Sequence, residues 1–174
     1  IERVVGALRG GGVRRVIVVT PPADAPGAAV LAERAGASGA EALVPSERPI
    51  DMRASFEIGL DRLRHEALSP STILLVPADS PGITSGVVAR ILEAAEASPE
   101  SILIPTYQGR RGHPIALPWR IAWKVAELPL GAGINALVAL HAAVVVEIDV
   151  DDPGVVDDLD TPEDYRRWAS EAES

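Results

Sequence analysis

The stretch ILLVPADSPGIT, Ile73 to Thr84, runs from four apolar residues into a proline, an acid, a serine, a second proline and a glycine. An apolar run without alternation reads as a strand buried on both faces, and the residues after it read as a loop leading into a new helix. Asp79 falls three residues past Val76, at the carboxyl end of that strand. In open α/β sheets this is the edge where ligands bind. Pro77 and Pro81 restrict the loop's path, while Ser80 and Gly82 are expected to leave room for a ligand near the backbone. Thr84 and Ser85 are better placed than Asp79 to cap the next helix. That leaves the carboxylate free for a functional role.

Working outward, the same alternation recurs. Val4, Val5 and Leu8 lie at helical spacing, and the glycines at 10 to 12 end that helix before the strand RRVIVVT. AAVLAERAG is a second helix and EALV a short strand. Met52, Phe56, Leu60 and Leu63 mark DMRASFEIGLDRLRHEAL as an amphipathic helix, and SGVVARILEAAEAS is another. ILIP, the helices WRIAWKVAEL and GINALVAL, and the strand AVVVEI follow. TPEDYRRWASEAES has Thr161 as N-cap and Pro162 at the first helical position. Buried strands separated by helices predict a single α/β domain over 1–174, a doubly wound, mostly parallel sheet with helices on both faces. Because the chain opens inside a helix, the pattern also predicts that a preceding strand is missing from it.

Composition narrows the function. At 174 residues and 47% hydrophobic content, the chain fits one soluble domain, and its apolar runs fall short of the roughly 20 residues of a membrane span. The expected compartment is the cytoplasm. Without cysteine there is no disulfide, thiolate metal site or cysteine nucleophile. Acids outnumber bases 25 to 16 and no basic stripe appears, which argues against a nucleic-acid partner. A small anion is still admissible, since a divalent metal reverses the sign of a local field.

Two further segments carry chemistry. DVDDPGVVDDLDTPED, Asp149 to Asp164, holds eight acids in 16 residues. Asp149, Asp151 and Asp152 read as a solvated loop. Asp158 and Asp160 alternate about Leu159 in an extended segment, so both carboxylates point to one side. With Asp79 they would form a hard oxygen site for Mg²⁺, although sequence cannot show that residues so far apart meet. PTYQGRRGHPIALP, Pro105 to Pro118, supplies two glycines, Arg110 and Arg111 as possible phosphate contacts, and His113 before a proline. A hairpin turn explains the arginines equally well; for His113 a ligand contact is favoured.

ILLVPADSPGIT, GRRGHPIAL and GVVDDLDTPEDY, in this order, resemble the nucleotidyltransferase family that includes molybdenum cofactor cytidylyltransferase and its guanylyltransferase relatives. IDMRASFEIGL is similar to the family's segment in which a serine contacts the nucleotide. The resemblance implies a Rossmann-like fold and a metal-binding, catalytic Asp79. It also implies Asp158 and Asp160 as further metal ligands, with Asp160 catalytic, and Ser55 on the nucleotide side. Gly112 and His113 would lie on the acceptor side. The reaction implied is Mg²⁺-dependent transfer of a nucleoside monophosphate from CTP or GTP to a small phosphorylated acceptor such as molybdopterin, with release of pyrophosphate. One departure matters: the family opens with a strand and a glycine-rich, lysine-bearing loop that cradles the triphosphate, and nothing here matches it. Rival readings are a relative acting on sugar phosphate or phospholactate, and a silent nucleotide- or cofactor-binding homologue.

Overall fold

In the computed structural model, residues 1–66, 69–159, 161, 163, 164 and 166 are described. Among these residues, seven strands and six α-helices alternate along most of their length. Helix α1 (Glu2–Gly10) precedes β1 (Ile17–Val19), and α2 (Ala28–Ala37) leads to β2 (Glu41–Leu43). Helix α3 (Met52–His65) is capped by Asp51, whose side chain accepts from the Ala54 amide at 2.8 Å. Strand β3 (Thr72–Leu75) is followed by α4 (Ser85–Ala97), and Thr84 is the N-cap of α4, as expected. Strands β4 (Ile102–Tyr107), β5 (Arg110–Arg111) and β6 (Ile115–Pro118) come next. Helix α5 (Trp119–Ala122) tightens into a 3₁₀ turn, then α6 (Ile134–Leu140) and β7 (Val145–Asp149) complete the regular core. Thr161 and Asp164 bond reciprocally, side chain to backbone amide at 3.0 and 3.1 Å, as in a capping box; most of the helix expected at TPEDYRRWASEAES lies outside the described residues.

The strands form two sheets. β1 and β2 pair in parallel, while β3, β6, β4 and β5 lie in that order, with β7 on β4. The expectation of a mostly parallel sheet does not hold among the described residues. β6 runs antiparallel to both β3 and β4, and β5 antiparallel to β4; only β1 with β2 and β4 with β7 are parallel. The cause is the turn at Gln108 and Gly109, with φ of 49° and 77°, where Tyr107 pairs with Arg110. Two successive positive φ values suit a two-residue hairpin, which sends the chain back beside its own strand.

Helices nevertheless cover both faces of the larger sheet. Ile102, Ile104, Ile115 and Leu117 pack with Phe56, Leu60, Ile121 and Leu137 from α3, α5 and α6. Their neighbours Leu103 and Ala116 turn to the opposite face and pack with Val87 and Ile91 of α4. This period of two, apolar on both sides, is why each strand reads as a continuous hydrophobic run. A third cluster, with Val5, Leu8, Val18, Ala35 and Val88, joins α1, β1, α2 and α4. At the end of α3, Arg62 bonds Glu41 at 2.7 Å, and Arg15 pairs with both Glu41 and Glu66, tying the small sheet to that helix.

Between the two sheets lies a cleft of about 1050 Å³. Val4 and Val5 of α1, Phe56 and Leu60 of α3, Val18 of β1 and Leu74 of β3 line it. Among the described pairings, β1 bonds only β2 and β3 bonds only β6, so one edge of each strand faces the cleft without a partner.

Candidate functional site

Three segments meet beyond the carboxyl end of β3. The first is the loop carrying Asp79, the second is 150–159, and the third is the Gly112–His113 turn. The first two cross at Gly82 and Gly154: a Cβ on Gly82 would lie 2.9 Å from the Gly154 Cα, and one on Gly154 would overlap the Gly82 carbonyl. Only glycine at both positions allows this approach. Gly82 is therefore filled by chain, and Ser80 is 1% exposed; the expected room for a ligand at these two residues is taken by the protein itself.

Hydrogen bonds secure the crossing. The Thr84 hydroxyl donates to Asp152 at 2.8 Å, and Asp152 also accepts from the Gly154 amide at 2.9 Å. Asp152, expected to be merely solvated, thus organises the turn at Pro153–Val156. The Ser80 hydroxyl donates to Asp158 Oδ1 at 3.1 Å, and the Leu159 amide donates to the Asp79 carbonyl at 3.0 Å. Asp79 and Asp158, both exposed, are thereby anchored through adjacent residues of two segments almost eighty positions apart. Asp160 lies outside the described residues, so its expected alternation with Asp158 does too.

The third segment closes the junction. The His113 amide donates to the Val155 carbonyl at 2.8 Å, and Gly112 donates to the Pro105 carbonyl at 2.9 Å. A Cβ on Gly112 would overlap the Val155 carbonyl, which gives this glycine a packing reason independent of any ligand. Burial lowers the His113 pKa below the ordinary histidine value, against the opposing pull of Asp158, the Leu75 carbonyl and Asp79. Its Nδ1 is buried with no hydrogen-bond partner, an uncommon state for a polar atom and one a bound acceptor could relieve. Arg111 of β5 pairs with Glu147 of β7 at 2.7 Å across β4, with which both strands pair, so the hairpin reading accounts for it, and Arg110 is exposed.

Ser55 sits one turn into α3, its hydroxyl donating to the Asp51 carbonyl at 3.3 Å. Ser55 and Asp79 line the same cleft between the sheets. Asp79 is thus where that cleft adjoins the three-segment junction. Arg53, which the sequence did not single out, donates to the carbonyls of Leu128, Pro129 and Ala132 at 3.1, 2.8 and 3.2 Å, pinning that loop to α3.

The donor chemistry suits a hard divalent cation. Two carboxylates, with waters and substrate phosphates in the other positions, match Mg²⁺, and no group of three or more His, Cys, Asp or Glu that could hold a metal occurs among the described residues. Such a pair is too small for a closed four-ligand zinc site.

The sequence profile of the MobA-like NTP transferase domain matches residues 1–145. The chain belongs to the MobA-like NTP transferase domain family. It is a nucleotidyltransferase. A phosphoenolpyruvate guanylyltransferase from Rubrobacter xylanophilus is 33% identical over 174 residues, covering 96% of this chain and 76% of the relative. Among solved structures, a Mycobacterium tuberculosis protein complexed with manganese is 24% identical with a TM-score of 0.73, covering 95% of this chain and 84% of its own. A nucleotidyl transferase from Methanothermobacter has a TM-score of 0.76 at 22% identity, covering 98% and 78%. These two likenesses concern the fold. No helix among the described residues is long and apolar enough to cross a membrane.

Proposed function

We propose that the chain is the larger part of a cytoplasmic, Mg²⁺-dependent enzyme that transfers a nucleoside monophosphate from CTP or GTP to a small phosphorylated acceptor. The observation that carries this reading is the pairing of the Asp79 and Asp158 segments through Ser80 and Leu159, at the mouth of a cleft that Ser55 also lines. In this reading Asp79 and Asp158, with Asp160, hold the metal. Bound there, Mg²⁺ would offset charge on the triphosphate and the acceptor phosphate. Ser55 contacts the nucleotide, and the unpartnered Nδ1 of His113 bonds the acceptor across the Gly112–His113 turn. Two anions must be brought into line for the acceptor oxygen to reach the α-phosphorus, so positioning and electrostatics supply most of the catalysis.

For the acceptor, the GHP segment at Gly112 to Pro114 favours molybdopterin, by resemblance. A second reading has its own support: the 33% identical relative is named for phosphoenolpyruvate, which favours a small phosphorylated carboxylic acid of the phospholactate kind. The apolar cleft between unpaired strand edges supports a further part of the proposal, that an extended segment followed by a glycine-rich loop seats there in the complete enzyme. Pyrophosphate release from CTP and from GTP, measured with molybdopterin, phosphoenolpyruvate and phospholactate in turn, tests these readings. Release with one pair above the rest selects the substrates. No release from any pair, by a folded protein carrying its upstream segment, would sink the reading.

A further inference from the structure

We propose that Ser80 is a positioning residue that sets the orientation of the Asp158 carboxylate beside Asp79. The proposal rests on the reading of Asp79 and Asp158 as metal-holding groups. Ser80, Thr20 and Thr106 are the buried polar residues among those described, and Ser80 is 1% exposed. A hydroxyl is retained at such a depth where it has a partner, because an unbonded one is costly to bury. Its partner is Asp158 Oδ1 at 3.1 Å, a carboxylate from a segment 78 positions away.

The neighbouring bond shows why the hydroxyl matters separately. Leu159 donates its amide to the Asp79 carbonyl at 3.0 Å, and this already holds the two backbones together. The Gly82–Gly154 crossing and the Thr84–Asp152 bond hold them again a few residues away. None of these reaches the Asp158 carboxylate. Of the four contacts, only the Ser80 bond acts on the Asp158 side chain. An exposed aspartate otherwise distributes over its rotamers, and the terminal carboxylate torsion is soft. Fixing Oδ1 against Ser80 leaves Oδ2 to accept from outside. Because Ser80 follows Asp79 directly, the same loop that presents one carboxylate orients the other.

Groups that orient ligating side chains typically account for about 10- to 100-fold in metal affinity or activity. Removing this hydroxyl should weaken the metal without unfolding the loop, which keeps its other three ties. The test uses the full chain and Mn²⁺ alone as a paramagnetic probe, titrated by water-proton relaxation, on wild type, Ser80→Ala, Asp158→Asn and the double variant. The expected result is a Mn²⁺ dissociation constant raised about tenfold or more by Ser80→Ala in the wild-type background. In the Asp158→Asn background the serine change should add little, since residues acting through one another are non-additive. Ser80→Cys keeps the shape with a much weaker donor and should behave as Ser80→Ala; it carries the comparison if the alanine variant does not fold. Unchanged affinity in both Ser80 variants, while Asp158→Asn weakens binding, would overturn the role of Ser80 and leave the metal pair standing. Equal losses in both backgrounds would also overturn it, by making Ser80 a general support. If Asp158→Asn binds Mn²⁺ as wild type does, the metal pair fails and the proposal falls with it.

Discussion

Asp79 stands exposed beyond the end of the half-buried strand β3, and its carboxylate serves no cap, because Thr84 starts α4. The backbone carbonyl of Asp79 takes part in the fold through Leu159, but the side chain does not. Substituting Asp79→Asn in the complete enzyme should therefore lower nucleotidyl transfer by orders of magnitude. The melting temperature should move by no more than about 2 °C, as for an exposed site outside the core. Wild-type turnover in this variant would remove Asp79 from the mechanism. His113 is a different case, since its ring is held in the fold with the charged form disfavoured by burial. A histidine whose folded pKa lies below its unfolded value of about 6.5 binds its proton first in the unfolded chain. Its contribution to stability is thus present above about pH 6.5 and is lost as pH falls from there toward the folded value. Urea midpoints of wild type and His113→Gln, compared between pH 8 and pH 5, should converge on acidification. Parallel curves would show that burial of this ring carries no proton linkage.

At the scale of elements, the site depends on two segments that touch without side chains. Gly154→Ala places a Cβ against the Gly82 carbonyl, where neither backbone has space to yield. Overpacking of this kind costs about 1–3 kcal/mol. For a chain of this size that is a fall of roughly 2–12 °C in melting temperature. Because the displaced segment carries Asp158, activity should fall with stability in this variant, in contrast to Asp79→Asn. A Gly154→Ala protein with unchanged melting and turnover would show that the crossing is looser than its geometry. The same contrast explains what was legible in advance. Apolar spacing marks α1 to α4 and α6, because one face of each helix is buried, and β3, β4 and β7 stand out as apolar or β-branched runs. Asp79 and His113 were visible as polar residues set at the ends of such runs. The direction of β6 was not, since Ile115 to Leu117 are apolar toward both faces and read identically in either orientation. Gly82 and Gly154 looked like loop glycines, because a backbone crossing between distant segments leaves no periodic trace. Ser80 looked like spacing for a ligand, and only its distance to Asp158 gives it another role.

Across the whole molecule, the main consequence is the division of the sheet. Among the described pairings, β1 and β3 each present an unpaired edge to an apolar cleft roofed and floored by helices, and an unpaired edge inside a domain is a position that proteins ordinarily fill. The junction of Asp79, Asp158 and His113 adjoins that cleft at Asp79, which lines it. The junction's carboxylates repel a triphosphate unless a divalent cation intervenes. The sole lysine, Lys124, lies within 3.4 Å of His141 in the helical layer formed by the 3₁₀ turn and α6, on elements that do not line the cleft. In calorimetric titrations with Mg²⁺ present, the 174-residue chain should therefore bind CTP and GTP weakly and release no pyrophosphate. Hydrogen exchange on the same chain should find the amides of Val19 and Leu74, which point to the two open edges, less protected than that of Leu103 in the middle of the larger sheet, and extending the chain with an upstream strand and glycine-rich loop should raise both the affinity and the protection of those edges. Micromolar binding together with pyrophosphate release by the 174-residue chain would mean that residues already present hold the triphosphate, and the cleft would then have to be explained without a further strand.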